Sequence, residues 1–190
     1  ARIAGLLYLV IIITAGFAQG YVRGTLVVPG DAAATAANIT ASEMLFRAGL
    51  VADLVAFLGD LALTVLLYVL LRPVNRTVAM VAMGFRLLAH PAIGALNLLN
   101  HWAALAILGG GGALSGAFEP QQLESFALLA MEAHGYGYLI AGAFFLINIA
   151  HVVGLLLMSS VNYRGPLERW AARVSLYGTP LGIVASLLVA

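Results

Sequence analysis

The chain has 190 residues, of which 63% are hydrophobic and 9% are charged, with a net charge of +1 and no cysteine. Soluble domains carry about 25% charged residues, so a chain this apolar cannot cover a water-facing surface and belongs in a lipid bilayer. The small net charge argues against a nucleic-acid partner, the lack of cysteine excludes disulfides and thiolate metal sites, and the lack of lysine excludes Schiff-base cofactors.

The N-terminal region predicts one membrane span and one surface helix. Residues 3–21 form an apolar run of the length that crosses a bilayer, about 20 residues. A signal peptide cleaved near residues 16–18 is the alternative, and retention of the segment favours an uncleaved helix. In the polar connection that follows, Asp31 is a good N-cap for an Ala-rich run. A short surface helix is therefore predicted over residues 31–42.

Four further apolar runs predict four more spans. They cover residues 43–71, 77–108, 122–160 and 167–189. Pro73 ends the second span, a run of four glycines ends the third, and Pro120 opens the fourth helix. The predicted fold is an all-α integral membrane protein, a five-transmembrane-helix bundle forming one domain over residues 1–190. The surface helix lies in its first outer loop.

The arginines predict how this bundle is oriented. They mark the N-terminus and the second and fourth loops, at Arg2, Arg72, Arg76, Arg164, Arg169 and Arg173. The third loop has no arginine and carries Glu119 and Glu124 instead. Because cytoplasmic loops are enriched in arginine, we expect a multi-pass protein of the bacterial cytoplasmic membrane, with its N-terminus inside and its C-terminus outside.

Costly polar residues inside the spans gather on helix faces. At about 100° per residue, one stripe of the third span carries Arg86, His90, Asn97, Asn100 and His101. On the second span, Asp53 and Asp60 lie about 20° apart. The fourth helix carries His134, Tyr138 and Asn148 on one face, with His151 rotated off it. Ionisable groups in spans face the bundle interior or a water cavity, so these faces point inward.

Depth along the helices predicts two polar layers. At 1.5 Å per residue from the inner helix ends, Asp60, Arg86 and His90 lie at about 18, 15 and 21 Å. We call this set the inner layer, to which His151, at about 13–14 Å, is a candidate addition. An outer layer is predicted around His101 and His134. Its candidate additions are Glu132 and Asp53.

A proline lies between the two layers on the third span. Pro91 has no N–H to donate, so it frees the carbonyl of Leu87 one turn back. A freed carbonyl in a membrane must find a polar partner, which predicts a kink beside the inner layer.

Several stretches resemble a known family. "VRGTLVVPGDAAATAANITASEMLFRAGLVADL", the following "LYVLLRPVNRTVAMVAMGFRLL", "FEPQQL" at residues 118–123 and His134 are similar to the bacterial multi-spanning proteins of domain-of-unknown-function family 4386. The resemblance covers most of residues 2–160, and the C-terminal segment matches less well. It implies a helical bacterial membrane protein and brings no activity with it.

Eleven residues are candidates for ligand binding or for a buried polar network. They are Asp53, Asp60, Arg86, His90, Asn97, Asn100, His101, His134, Tyr138, Asn148 and His151. The structural alternative is that an ion pair between Asp60 and Arg86 sets the register of the helices, and that the asparagines and histidines form hydrogen bonds between helices. No metal site is assigned, because the sequence has no histidine pair at i, i+4 and no H-E-x-x-H.

The leading functional hypothesis is a non-enzymatic membrane protein that binds a lipid or a quinone-like molecule, or serves as an accessory subunit of a membrane complex. Its partners are the lipid bilayer and either a second copy of the chain or another subunit. One alternative is a b-type haem held by His101 with His134, or by His90 with His151. The others are a proton-coupled transporter and an intramembrane metal-dependent hydrolase that use the Asp, Arg and His network.

Overall fold

A computed structural model describes residues 2–109 and 116–160. It contains five helices, which we number α1 to α5 in chain order. They are α1 (Arg2–Leu26), α2 (Ala32–Ala41), α3 (Glu43–Leu71), α4 (Arg76–Leu108) and α5 (Pro120–Ser160). The described residues contain no strand, which confirms the all-α class. The predicted fifth span, residues 167–189, lies outside the described residues.

All the helices except α2 are long and apolar enough to cross a membrane. Their outward faces carry large apolar side chains, such as Ile12 at 64% exposure and Leu96 at 69%. Water would penalise such surfaces, whereas lipid tails match them. The chain is therefore an all-α membrane protein whose apolar helix faces suit contact with lipid.

The helix ends follow the local sequence. The Asp31 carboxylate accepts a hydrogen bond from the Ala34 amide at 2.9 Å, which caps α2 as predicted. Asn75 caps α4 in the same way, accepting from the Val78 amide at 3.1 Å. Helix α3 ends at Leu71, just before Pro73.

Helix α1 is longer than the sequence pattern predicts. It runs to Leu26 rather than to Tyr21, through a π-helical segment at Phe17–Arg23. Arg23 therefore lies inside the helix, 8% exposed, and not in a loop. The predicted end of the span is corrected because this arginine has an aspartate partner on α3, which allows it to stay buried.

Pro91 lies in a second π-helical segment, Leu88–Gly94, in the middle of α4. The sequence predicts a kink at this proline, and the structure has a wider, π-helical turn at that position. One segment of this kind carries Arg23 and the other carries His90. Each polar layer therefore receives a charged or ionisable side chain from a π-helical turn.

The helices pack so that α3 lies between α1 and α4, and α4 packs along α5. Two apolar clusters close the two ends of this bundle. The cluster beside α2 consists of Val22, Leu26, Ile39, Phe46, Ala104, Leu105, Ala127 and Met131. The opposite cluster consists of Leu71, Val78, Ala79, Ala82, Met83 and Leu155. Both polar layers lie between the two clusters.

Candidate functional site

The inner layer is a compact ion-pair group. Arg86 and Asp60 are each 1% exposed, and Nη2 of Arg86 donates to Oδ1 of Asp60. The other carboxylate oxygen lies 3.3 Å from Nδ1 of His90, which is within ion-pair range. The predicted grouping of these three residues is what the structure shows. It forms because α3 and α4 pack as neighbours.

Two more helices close the inner layer around the arginine. Nη1 of Arg86 lies 3.3 Å from both the Tyr8 hydroxyl on α1 and Oδ1 of Asn148 on α5, which accept hydrogen bonds. The amide of Asn148 donates to the Ala82 carbonyl at 2.7 Å. The guanidinium also lies 5.2 Å from the centroid of the Phe145 ring. One buried cation thus connects four helices.

The outer layer is built on a second buried ion pair. Nη1 of Arg23 donates to Oδ2 of Asp53 at 2.7 Å and lies 3.4 Å from Nδ1 of His101. Nε of Arg23 donates to Oε1 of Gln19 at 2.9 Å, and the guanidinium lies 5.3 Å from the centroid of the Tyr138 ring. Helices α1, α3, α4 and α5 all contribute to this layer.

The two histidines of the outer layer touch edge to face, with ring centroids 5.5 Å apart. Nε2 of His101 lies 3.0 Å from the Phe46 carbonyl, and Nδ1 of His134 lies 2.9 Å from the Asn97 carbonyl. A carbonyl only accepts, so each of these ring nitrogens carries the proton. In neutral imidazole the opposite nitrogen is then an acceptor. Nδ1 of His101 faces Nη1 of Arg23 at 3.4 Å, and Nε2 of His134 has no partner.

The outer layer is also where buried polar atoms lack partners. The described residues contain seven side-chain N or O atoms that are shielded from solvent and have no hydrogen bond. Five of them belong to the outer layer: Gln19 Nε2, Arg23 Nη2, Asp53 Oδ1, His134 Nε2 and the Tyr138 hydroxyl. The inner layer has two, Arg86 Nε and Asp60 Oδ2, and the latter faces His90. An unpartnered buried polar atom costs about 1–3 kcal/mol, so five together need an explanation.

An aromatic ring separates the layers. Phe57 is 6% exposed, and its centroid lies 6.2 Å from that of His90 and 6.4 Å from that of Tyr138. Phe57 thus lies beside a residue of each layer, and no side-chain hydrogen bond among the described residues joins one layer to the other. The geometry therefore gives a continuous proton relay no support.

The remaining candidates, two asparagines, His151 and Glu132, have separate positions outside the two ion pairs. Asn97 donates to the His134 carbonyl at 2.7 Å and connects α4 to α5, whereas Asn100 bonds only to Asn97 of its own helix. His151 is buried, and its Nδ1 bonds to the Ile147 carbonyl one turn back, so its described hydrogen bond does not join it to the inner layer. Glu132 is exposed and does not belong to the outer layer, because it lies on the outward face of α5.

The sequence reasoning missed three residues of α1. The sequence pattern places Arg23 in the polar connection after the first span, and Tyr8 and Gln19 lie within the apolar run 3–21 without a predicted role. One signal could have found Arg23, since Asp53 had no cation assigned at its depth. A buried carboxylate requires one.

The haem hypothesis receives no support from the geometry. Two histidines that bind one haem must lie on opposite faces of a flat macrocycle. The rings of His101 and His134 are in direct contact at an interplanar angle of 85°. His90 stacks on Phe145 with centroids 4.6 Å apart, while His151 stacks on Phe85.

The outer layer does contain one set of groups suited to a metal ion. Among the described residues, Asp53, His101 and His134 each offer one ligand atom, and these atoms all lie within 4.8 Å of one another. All three side chains are buried. Chemically, the layer combines these acceptors with donors from Arg23, Gln19 and the Tyr138 hydroxyl.

Fold and site together define the class of the protein: an α-helical membrane protein with two buried ionic layers. Within that class, the chain matches the domain of unknown function DUF4386 over residues 3–190 and belongs to that family. Searches of curated proteins and of solved structures gave no match. The predicted family is thereby confirmed. The family's description assigns no activity.

Proposed function

We propose that this protein is a membrane-embedded binding protein whose outer layer takes a small polar ligand, while the inner layer fixes the packing of the helices. The observation that supports this is the cluster of five unpartnered buried atoms in the outer layer. Natural proteins pair nearly all such groups, and the exceptions cluster where a ligand or water completes them. Binding, without catalysis, is the activity that we assign.

The ligand must bring polar groups. An apolar tail would leave every one of the five atoms unpaired, at about 1–3 kcal/mol each. This narrows the lipid or quinone-like hypothesis to a molecule whose polar part enters the layer. Gln19 and Tyr138 are the half-buried members of the layer, so we place its entrance where α1 and α5 meet the lipid.

An experimental structure of the purified protein in lipid nanodiscs tests this proposal. We expect non-protein density in contact with Oδ1 of Asp53 and Nε2 of His134, and none inside the inner layer. Direct pairing of the outer-layer side chains with one another, with no density between them, would overturn the proposal.

We also propose that residues 1–190 form one domain of a bacterial cytoplasmic membrane protein, with its N-terminus inside. Arg2, Arg72 and Arg76 support this through the positive-inside rule. Because the chain has no cysteine, Thr40→Cys and Thr77→Cys give single reporters at exposed positions near opposite ends of the bundle. In intact cells without their outer membrane, a membrane-impermeant maleimide should label the Thr40 variant only. Labelling of the Thr77 variant alone would reverse the orientation.

A further inference from the structure

We propose that the ligand of the outer layer is a divalent transition-metal ion, bound by Oδ1 of Asp53, Nδ1 of His101 and Nε2 of His134. This proposal rests on the proposed function, because it identifies the ligand class of the same site. Two imidazoles and one carboxylate are a ligand set used for Zn²⁺ and for non-haem Fe²⁺, with positions left open for water or a further ligand.

The hydrogen bonds of His101 and His134 turn one unprotonated ring nitrogen of each toward the cluster. The Phe46 and Asn97 carbonyls hold the protons of the two histidines on the nitrogens that face away from the cluster. Nε2 of His134 and Oδ1 of Asp53 then have no partner, and Nδ1 of His101 has only its 3.4 Å contact with Arg23. One potential ligand atom from each of the three residues lies within 4.8 Å of the other two. Arg23 supplies one positive charge to this group, at 2.7 Å from Oδ2 of Asp53 and 3.4 Å from Nδ1 of His101, and a metal ion would add the partner that Oδ1 of Asp53 and Nε2 of His134 lack.

The spacing suits a single ion after a small adjustment. In a tetrahedral site with ligand distances of about 2.1 Å, two ligand atoms lie roughly 3.4 Å apart. The three atoms here lie within 4.8 Å, so the required shifts of the side chains are under about 1 Å. The imidazole nitrogens favour a borderline-soft ion over Mg²⁺ or Ca²⁺, which prefer oxygen ligands.

The groups behind the ligands match those found around metal sites. Ligating histidines usually donate their other ring N–H to a backbone carbonyl, as both do here. Ligating carboxylates are hydrogen-bonded in turn, and Arg23 donates to the second oxygen of Asp53 at 2.7 Å. Metal binding would break only the 3.4 Å contact between Arg23 and Nδ1 of His101.

The remaining unpartnered donors fit the same interpretation. Nη2 of Arg23, Nε2 of Gln19 and the Tyr138 hydroxyl need acceptors, whereas Asp53 and His134 need a cation or a donor. A quinone or another carbonyl compound would satisfy the donors alone. A metal ion with a bound water or hydroxide satisfies both kinds of group at once.

Metal titration of the full-length purified protein tests this proposal. After removal of metal with a chelator, we expect one Zn²⁺ per chain by elemental analysis and a rise in unfolding temperature on adding Zn²⁺. Co²⁺ should give visible absorption bands typical of nitrogen and oxygen ligands, and Mg²⁺ should leave the unfolding temperature unchanged. Neither the Zn²⁺ nor the Co²⁺ measurement depends on a variant.

Two matched variants locate the site. His134→Gln should weaken Zn²⁺ binding by at least about 100-fold, because it removes a ligand, and loss of a supporting group alone costs 10–100-fold. His151→Gln replaces an equally buried histidine that bonds within its own helix, and should bind Zn²⁺ as the natural protein does. Equal binding by both variants would overturn the assignment.

The two proposals fail in different ways. If the natural protein binds neither Zn²⁺ nor Co²⁺ while density still occupies the outer layer, the metal proposal falls and the layer takes another polar ligand. If the outer-layer side chains pair with one another without any density, both proposals fall.

Discussion

The inner and outer layers contain the same kinds of residue but differ in how many of their buried polar atoms lack a partner. Each has a buried arginine–aspartate pair, at least one histidine and a tyrosine. In the inner layer, the second carboxylate oxygen of Asp60 faces His90, and Arg86 finds Tyr8 and Asn148. Among the described residues, the inner layer leaves two buried polar atoms without a hydrogen bond and the outer layer leaves five. Residue composition therefore does not distinguish the two layers, whereas the number of unpartnered buried atoms does.

Breaking the ion pair of the inner layer should have the largest effect. Asp60→Asn leaves the Arg86 charge buried without a counter-ion, so we expect a loss of about 3–5 kcal/mol in the free energy of unfolding. Unfolding in mixed micelles with increasing SDS measures it. As a control, Glu43→Gln in the half-exposed pair with Arg47 should change stability by less than about 0.5 kcal/mol. Equal losses would show that the inner layer is not a structural clamp.

A medium effect is expected at Gly137 of α5, where the side chain of Asn97 on α4 packs against the helix backbone. A Cβ added at Gly137 would lie 2.1 Å from Oδ1 of Asn97 and would displace this side chain from the His134 carbonyl. Gly137→Ala should therefore lower the free energy of unfolding by about 1–3 kcal/mol.

The neighbouring glycine provides the control for this substitution. A Cβ at Gly135 meets nothing within 4 Å, so Gly135→Ala should be neutral or stabilising by up to about 1 kcal/mol. A neutral Gly137→Ala would mean that the contact between Asn97 and α5 does not position His134.

The inner layer could be predicted because helix geometry is regular. Residues a known number of turns from the helix ends lie at known depths, and a short loop makes α3 and α4 neighbours. This was enough to group Asp60 with Arg86 and His90. The cap at Asp31 fixed the start of α2 in the same local way.

The outer layer could be predicted only in part. Arg23 follows an apolar run and precedes a Pro-Gly turn, so local rules assign it to a loop. Its burial depends on Asp53, which lies 30 residues away and holds it inside the bundle. The unpartnered atoms depend on distances and angles between four helices. No pattern along the chain contains that information.

The smallest effects are expected from replacing one tyrosine of each layer by phenylalanine, and this comparison distinguishes the two layers most directly. Tyr8 and Tyr138 are both half-buried, but the Tyr8 hydroxyl accepts from Arg86 at 3.3 Å, whereas the Tyr138 hydroxyl lies near Asp53 and Gln19 without a hydrogen bond of normal geometry. In metal-free protein, Tyr8→Phe should lower the free energy of unfolding by about 1.5 kcal/mol, since hydrogen bonds to charged groups contribute about 1.5–3 kcal/mol.

Tyr138→Phe, measured by the same SDS unfolding, should leave the free energy of unfolding unchanged or raise it by about 1 kcal/mol, because it removes a buried hydroxyl that has no partner. That result, opposite in sign to the effect of Tyr8→Phe, is what an open outer layer beside a closed inner layer predicts. A loss in Tyr138→Phe equal to that in Tyr8→Phe would contradict it, because the outer layer would then be closed on itself.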